Sequence, residues 1–309
     1  MKPFRRNVAI AIDGGGIRGA TVARALAILE DKLGCSLHQV TRLTAGTSTG
    51  SILAAGIAQG LTGETLHRLY LEMADIVFPR TWRSALWPLT KYRYASAPLS
   101  SALASVLGTG GLGDFWSATP ATDVVITLFD LLQNRTRFAK PWKDEYAQWP
   151  IVEAVLASSS VPTVFPPVAG CYVDGGVGSY ANPSYLAAYE AYFCLGWDPN
   201  ETTLLSLGTG RAPALLKSGQ PARWWPWQWL TPVLGAFQQS ADDQQVRLVR
   251  TFFPSLDFRR FQVDLREAIA MDDTNQMDLL TAYGDELGNK ILNDETDPAV
   301  DLAVRRAPR

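Results

Sequence analysis

A serine flanked by glycines is the first residue of this sequence whose setting indicates chemistry. Ser48 stands at the centre of Gly46-Thr-Ser-Thr-Gly50, which matches the pattern G-x-S-x-G. The pattern follows a short apolar stretch near residues 43–45 and precedes small residues typical of a helix. In a strand–turn–helix setting, a sharp turn exposes the serine and the glycines let neighbouring backbone pack closely. Ser48 is therefore a candidate nucleophile; the alternative is a small-residue turn that only packs beneath a helix.

A serine nucleophile needs a base, and the two histidines of the chain are poorly placed for that role. His38 precedes the strand that leads to Ser48, so we expect it near the far end of that strand. His67 falls off the apolar stripe of its predicted helix, so we expect it to be a solvated surface residue. The base is therefore predicted to be a carboxylate. The candidates that stay open are Asp13, Asp123, Asp130 and Asp174.

Asp174 is favoured among these four by its local sequence. It ends the apolar run Cys171–Val173 and is followed by Gly175-Gly176. This pattern predicts a position at the carboxyl edge of a strand, where α/β sheets collect their sites.

A glycine-rich turn lies between the apolar run Asn7–Ile12 and a predicted helix, and Gly14, Gly16 and Gly19 fit G-x-G-x-x-G. A dinucleotide site would also need an acidic residue at the end of the second strand, but that strand leads only into Ala45-Gly46-Thr47. No Gly-Lys-Ser/Thr follows either, so a nucleotide cofactor is disfavoured.

The same turn has the properties of an anion site. Glycines can bring backbone N–H groups close to a ligand, and the helix N-terminus adds partial positive charge. Arg18 adds a full positive charge. The alternative is a tight turn that binds nothing.

Composition limits the remaining possibilities. The chain has 309 residues, 28 Lys+Arg against 30 Asp+Glu, a net charge of -2 and 47% hydrophobic residues. These values indicate a folded protein with a sizeable core and no overall attraction to nucleic acid. Three scattered cysteines indicate neither a disulfide framework nor a zinc site. The first apolar run has about five residues, fewer than a secretory signal needs. We expect a soluble, cytoplasmic protein without metal or cofactor.

Apolar periodicity predicts alternating strands and helices, and hence a mostly parallel sheet with helices on both faces. Strands are predicted at 7–12, 43–45, 123–129, 171–173 and 202–207, and helices at about 20–33, 50–58, 62–77, 234–250 and 277–292. The last fifteen or so residues are polar and are expected to be frayed.

Three motifs in order resemble the patatin-like phospholipases, which are lipid acyl hydrolases related to cytosolic phospholipase A2. They are Asp13-Gly-Gly-Gly-Ile-Arg-Gly19, Gly46-Thr-Ser-Thr-Gly50 and Asp174-Gly-Gly176. The block from Ala157 to Pro166, Asn182-Pro183 and Ser206-Leu-Gly-Thr-Gly210 are also similar. The resemblance implies a three-layer α/β/α sandwich with a mostly parallel central sheet. It implies one domain over residues 1–309, with core motifs at about 7–210 and a helical part with a polar tail at 211–309.

The resemblance also implies roles for single residues. Ser48 would be the nucleophile and Asp174 its base, in a dyad without histidine. The N–H groups of Gly15 and Gly16, helped by Gly14, would hold the oxyanion. Arg18 would support that loop or meet the substrate phosphate. The implied substrates are phospholipids or related lipid esters, and a non-catalytic module that binds lipids or anionic ligands is the alternative function.

Two segments predict peripheral contact with a membrane surface rather than with nucleic acid. Between Pro79 and Pro98, four basic residues alternate with Trp and Tyr and no acidic residue intervenes. The segment Trp224–Trp229 contains four tryptophans, for which an interfacial anchor, a lid over an acyl pocket and packing beneath a cap all stay open.

Overall fold

Seven strands form one sheet in the computed structural model, which describes residues 1–81, 89–213, 221, 224, 225, 228 and 230–298. Residues 230–234 are described as helical backbone only. The strands are β1 (Asn7–Ile12), β2 (Leu43–Thr47), β3 (Asp123–Asp130), β4 (Arg135–Ala139), β5 (Tyr172–Asp174), β6 (Thr202–Leu207) and β7 (Asp257–Phe261).

The sheet is mostly parallel. Its order is β4-β3-β2-β1-β6-β7, with β5 pairing to β3 outside this path. The pairs β1–β2, β1–β6, β2–β3 and β6–β7 are parallel, whereas β4 and β5 run antiparallel to β3. Strands that are buried on both faces read as continuous apolar runs, as in β1, where Val8 to Ile12 are all buried.

Helices cover both faces of this sheet, and the core residues of the strands alternate between the two sides. The helices are α1 (Gly19–Leu33), α2 (Leu37–Val40), α3 (Thr49–Ala58), α4 (Gly63–Val77), α5 (Ser96–Leu107), α6 (Asp114–Ser117), α7 (Asp144–Ala147), α8 (Ile151–Ser158), α9 (Ser184–Tyr189), α10 (Leu230–Phe252) and α11 (Met277–Leu292). Ile10 and Ile12 of β1 pack in the cluster formed with α1, α3, α4 and α11. Ala9 and Ala11 pack on the other face with residues of α9 and α10. A second cluster on the first face joins β3 to α3, α5 and α8.

The unequal lengths of the central strands create a junction at one edge of the sheet. β4 occupies one side of β3 along Ile126–Asp130, and β2 occupies the other side as far as Thr127. The antiparallel strand β5 pairs with Leu128–Asp130, so it must lie where β2 has already ended. β2 and β5 therefore meet end to end beside β3.

The elements predicted from periodicity are confirmed, with ends that shift by a few residues. The fold class, a three-layer arrangement with a mostly parallel central sheet, is also confirmed. Two strands, β4 and β5, run antiparallel to β3, and of these only β5 is among the strands predicted from the sequence. Within the basic and aromatic segment, residues 82–88 lie outside the described residues, as do residues 299–309 of the polar tail.

A buried carboxylate connects three helices at the opposite end of the sheet from this junction. Glu30 of α1 accepts hydrogen bonds from the N–H of Leu37 and from the N–H of Gly63, both at 2.7 Å. These N–H groups lie at the starts of α2 and α4, where no helical carbonyl is available to them.

We predict that Glu30→Ala lowers the free energy of unfolding by about 3 kcal/mol, because two buried N–H groups lose a charged acceptor. Urea denaturation measures this difference. Glu72→Ala is the matched control, since Glu72 is exposed and its nearest cation, Arg68, lies 3.9 Å away. The control is expected to change the free energy of unfolding by less than about 0.5 kcal/mol. Equal effects of the two substitutions would contradict the role given to Glu30.

Candidate active site

Ser48 occupies a strained turn between β2 and α3. Its backbone angles are φ 55° and ψ -127°, outside the regions that L-residues prefer. Glycines are needed on both sides of Ser48 because neighbouring backbone segments approach one another so closely that a side chain would not fit. A Cβ atom on Gly50 would lie 2.1 Å from the carbonyl oxygen of Ile12, and one on Gly46 would lie 2.2 Å from the carbonyl oxygen of Gly50. Both glycines of the motif are therefore required by backbone packing.

The side chain of Ser48 meets Asp174 at the junction of β2 and β5. The hydroxyl of Ser48 lies close enough to the carboxyl group of Asp174 to lower its pKa, and both residues are 6% exposed. The N–H of Gly176 donates to Asp174 Oδ1 at 2.7 Å. Burial raises the pKa of Asp174 to about 6, although the Ser48 hydroxyl and the Gly176 N–H act in the opposite direction. The structure thus brings together the two residues that the sequence motifs singled out.

Because β5 runs antiparallel, Asp174 reaches its position near Ser48 for a different reason from the one that the sequence indicated. The sequence argument placed Asp174 at the carboxyl edge of a strand within a parallel sheet. Asp174 instead ends a strand that runs against β3 and points back towards the end of β2.

The other three candidate carboxylates have different partners. Asp13 forms a buried ion pair with Arg260 of β7, whose two terminal nitrogens lie 2.8 and 2.5 Å from the two carboxylate oxygens. Asp123 accepts from the indole of Trp116 at 2.8 Å, at the start of β3. Asp130 accepts from two backbone N–H groups in the turn after β3, each at 3.0 Å.

Neither histidine contacts Ser48. His38 Nδ1 lies 3.1 Å from the carbonyl oxygen of Ile57, towards the opposite end of β2. His67 is 5% exposed, so the expectation of a solvated surface residue is wrong. Its Nε2 lies 3.2 Å from the hydroxyl of Thr281 on α11, which covers this face of α4, and burial lowers the pKa of its imidazole.

The glycine turn approaches Ser48 from the end of β1. A Cβ atom on Gly14 would lie 3.2 Å from the Cβ of Ser48. The N–H of Gly14 donates to the carbonyl of Ala181 at 2.9 Å, so it is not available to a ligand in this conformation. This corrects the sequence prediction that Gly14 adds a donor. For the N–H groups of Gly15 and Gly16, no acceptor is found within the described part of the chain.

Arg18 holds the turn from behind. Its Nε donates to the carbonyl of Gly15 and its Nη1 to the carbonyl of Gly210, both at 3.2 Å. The resemblance implied that Arg18 either supports the glycine turn or meets the substrate phosphate, and these hydrogen bonds favour support of the turn. Burial lowers the pKa of the guanidinium.

Sequence reasoning missed two further contacts at this site. The N–H of Ser48 donates to the hydroxyl of Ser158 at the end of α8, at 2.9 Å. The carbonyl of Ser160 accepts from the N–H of Asp174 at 3.1 Å. The serine block had been noticed as a motif, but its sequence did not indicate what it contacts. The partner of Asp13, Arg260, has no signal in the sequence.

An apolar cavity, partly open to solvent, lies beside Ser48. The wall comes from the glycine turn, α3, α4, α5 and the loop after α8. The lining residues are Gly16, Ile17, Ser48, Thr49, Ile52, Leu69, Tyr70, Met73, Ala74, Val77, Phe78, Leu99, Ala102, Leu103, Ser159, Val161, Val164, Phe165 and Met271. The site is therefore suited to a long apolar group next to a polar reaction centre.

The basic and aromatic segment lies against this cavity. Tyr94 packs on Phe78 and Phe165 of the cavity wall. Arg93 bonds to Asp272 at 2.5 Å, and Arg80 lies 3.5 Å from Asp273. Acidic residues from another part of the chain thus balance two of its four basic residues. In the tryptophan segment, Trp225 is 64% exposed. Trp227 and Trp229 lie outside the described residues.

Comparison with known proteins decides the family. The family model described as patatin-like phospholipase matches residues 10–187, more than half of the chain. The chain belongs to the patatin-like phospholipase family. The matched range includes Ser48, Asp174 and the glycine turn, so the resemblance of the three motifs is confirmed.

Relatives of this patatin-like chain include enzymes named as phospholipases. An intracellular phospholipase A2 of Caenorhabditis elegans is 29% identical over 221 residues, which are 66% of this chain but only 20% of that protein. A cGAMP-activated phospholipase of Vibrio cholerae is 27% identical over 279 residues, covering 79% of this chain and 77% of the relative. The crystal structure of VipD from Legionella pneumophila shares the fold, with a TM-score of 0.52 and 11% identity over 94% of this chain and 67% of that chain.

Among the described residues, no helix combines the length and the apolar character needed to cross a bilayer. No group of three or more His, Cys, Asp or Glu side chains among them is arranged to hold a metal ion.

We predict that Asp174→Asn raises the free energy of unfolding at pH 7. The folded-state pKa of about 6 exceeds the ordinary value of 3.8, so the wild-type protein loses stability as the pH rises from about 4 through 6. The difference between these two pKa values corresponds to a difference of up to about 3 kcal/mol in the free energy of unfolding between Asp174→Asn and the wild type. This difference in the free energy of unfolding should be small at pH 4 and constant above pH 7. Urea denaturation over this pH range measures it, and a difference independent of pH would contradict the burial argument.

Proposed function

We propose that this chain is a serine lipid acyl hydrolase that cleaves fatty-acyl esters of phospholipids or related lipids. The observation that carries the proposal is the proximity of the Ser48 hydroxyl to the buried carboxyl group of Asp174, beside an apolar cavity. The family and the names of its relatives support the same class of activity.

Asp174 acts as the base for Ser48. A carboxylate with a pKa of about 6 is a stronger base than an ordinary aspartate, yet it is still mostly ionised at pH 7. As the Ser48 oxygen attacks the ester carbonyl carbon, Asp174 takes its proton. No histidine is needed for this transfer, because the carboxyl group of Asp174 lies beside the hydroxyl of Ser48.

The oxyanion is held by the glycine turn. The N–H groups of Gly15 and Gly16, which lack acceptors among the described residues, donate to the oxygen that becomes negative in the tetrahedral intermediate. Arg18 keeps these donors in place through the carbonyls of Gly15 and Gly210. Removal of one such donor in comparable sites costs about 2.7–4 kcal/mol of transition-state stabilisation.

The reaction proceeds through an acyl-enzyme. When the intermediate collapses, the bond between the carbonyl carbon and the alcohol oxygen breaks, and that oxygen receives the proton from Asp174. The acyl group stays on Ser48. A water molecule, deprotonated by Asp174, then attacks the acyl carbon, and the proton returns to Ser48 as the fatty acid leaves.

The cavity accommodates the acyl chain, since its wall is almost entirely apolar. Peripheral contact with a membrane surface would bring the substrate to it. Leu89, which is 85% exposed, and the exposed Lys91 lie in the segment that packs against the cavity wall. An apolar and a basic side chain together favour an anionic lipid surface.

We predict that Ser48→Ala abolishes fatty-acid release from mixed phospholipid vesicles and also abolishes labelling by a fluorophosphonate probe. Asp174→Asn should reduce both by on the order of 10⁴-fold, as observed when one member of a catalytic unit is lost. Mass spectrometry of the released lipids measures the first effect. Ser36→Ala is the control, because Ser36 lies at the start of α2, away from the site. Vesicle binding without hydrolysis or labelling by the wild type would favour the non-catalytic module.

We also predict a single acid limb in the pH profile of kcat/KM, with an apparent pKa of about 6 and a plateau above pH 7. The rate falls with decreasing pH because protonated Asp174 cannot accept the proton of Ser48. His38→Gln and His67→Gln should retain the limb. Burial also raises the pKa of Asp242 to about 7, so Asp242→Asn is a further control that should retain it. Loss of the limb in any of these controls would assign it to a different group.

A further inference from the structure

Three consecutive serines at the end of α8, Ser158 to Ser160, differ in their hydrogen bonds. The hydroxyl of Ser158 accepts the N–H of Ser48 at 2.9 Å, and the hydroxyl of Ser160 donates to the carbonyl of Leu156 at 2.8 Å. The hydroxyl of Ser159 is buried, with 7% of the residue exposed, and has no hydrogen-bond partner among the described residues. A buried hydroxyl without a partner is unfavourable, because it has given up its bonds to water.

Ser159 differs from other unpartnered hydroxyls through its location. The residue is one of those that line the cavity containing Ser48. The residue before it contacts the N–H of Ser48, and the residue after it contacts the N–H of Asp174. Thr122 also has a buried hydroxyl without a partner, but it is not part of this wall and lies just before the start of β3.

The cavity itself offers Ser159 no partner. Two other hydroxyls in the wall, those of Thr49 and Tyr70, are hydrogen-bonded to each other. The remaining wall residues beyond Ser48 have apolar side chains or none. The partner of Ser159 is therefore expected to arrive with a ligand.

The identity of that partner rests on the proposed function. An acyl chain has no polar atoms, so the substrate atoms that bring polarity to the reaction centre are the two oxygens of the ester that is cleaved. The carbonyl oxygen has its donors in Gly15 and Gly16. The alkoxy oxygen, which becomes the leaving oxygen, receives only the proton that Asp174 delivers.

We propose that the Ser159 hydroxyl donates a hydrogen bond to the alkoxy oxygen of the bound ester. The bond strengthens as the link between the carbonyl carbon and this oxygen breaks and negative charge develops there. Ser159 keeps its proton throughout, and the leaving oxygen is protonated from Asp174. Ser159 therefore determines specificity towards esters of poorly acidic alcohols, because their alkoxide leaving groups need this stabilisation most.

A dependence on the leaving group tests this role. p-Nitrophenolate is a weak base and needs little stabilisation, whereas the alkoxide of a glycerophospholipid needs much more. Ser159→Ala should lower kcat/KM for a glycerophospholipid about threefold to tenfold, the range of one net hydrogen bond. For the p-nitrophenyl ester of the same fatty acid, the change should stay below about twofold.

Stability provides a second readout. Ser159→Ala removes an unpartnered hydroxyl, so its unfolding midpoint in urea should equal or exceed that of the wild type. Thr122→Val is the matched control: it removes a comparable hydroxyl and should leave kcat/KM unchanged for both substrates. Ser159→Cys, with a weaker donor, should fall between wild type and Ser159→Ala on the phospholipid.

Two results would overturn the proposal. Equal losses on both substrates would mean that Ser159 acts on the acyl chain or on the shape of the site. Unchanged activity on both would mean that the hydroxyl has no substrate partner. In either case an inactive Ser48→Ala protein would leave the proposed function intact, whereas activity of Ser48→Ala would overturn the function itself.

Discussion

The arrangement of the site depends on one constraint, the end-to-end meeting of β2 and β5 beside β3. β3 extends past the end of β2, and the free side of its last residues can pair with only one further strand. Because β5 fills that place in the antiparallel direction, its last residue arrives at the level where β2 ends. Ser48 and Asp174, 126 positions apart in the sequence, are brought close together by this pairing of the strands.

This proximity is maintained by a backbone that would be unfavourable elsewhere. The positive φ of Ser48 costs on the order of 1–3 kcal/mol, and such strain persists only where the surroundings determine it. Here the surroundings are the close approach of Gly50 to β1 and the bond from the Ser48 N–H to Ser158. Strain of this kind exposes the hydroxyl and fixes its direction, so the fold supplies the orientation that a catalytic serine needs.

Burial has two effects at this site. The apolar wall that suits an acyl chain also withdraws water from Asp174, and this loss of solvation raises the pKa of the carboxyl group. The protein thus gives up stability at neutral pH and gains a stronger base. Behind the glycine turn, the buried carboxylate of Asp13 differs in having a cation beside it, because Arg260 binds it through two direct hydrogen bonds.

The sequence by itself determined features that depend on neighbouring residues: five of the strands, five of the helices, the glycine-lined turn at Ser48 and the anion-seeking turn before α1. These follow from local periodicity and from the steric freedom of glycine, which act over a few residues. Only the tertiary structure decided that β5 runs antiparallel, that α11 buries His67, that Ala181 occupies the N–H of Gly14 and that Arg260 pairs with Asp13. Each of these contacts joins positions far apart in the chain, and their partners are selected by the packing of the sheet and helices, which no local pattern of residues encodes.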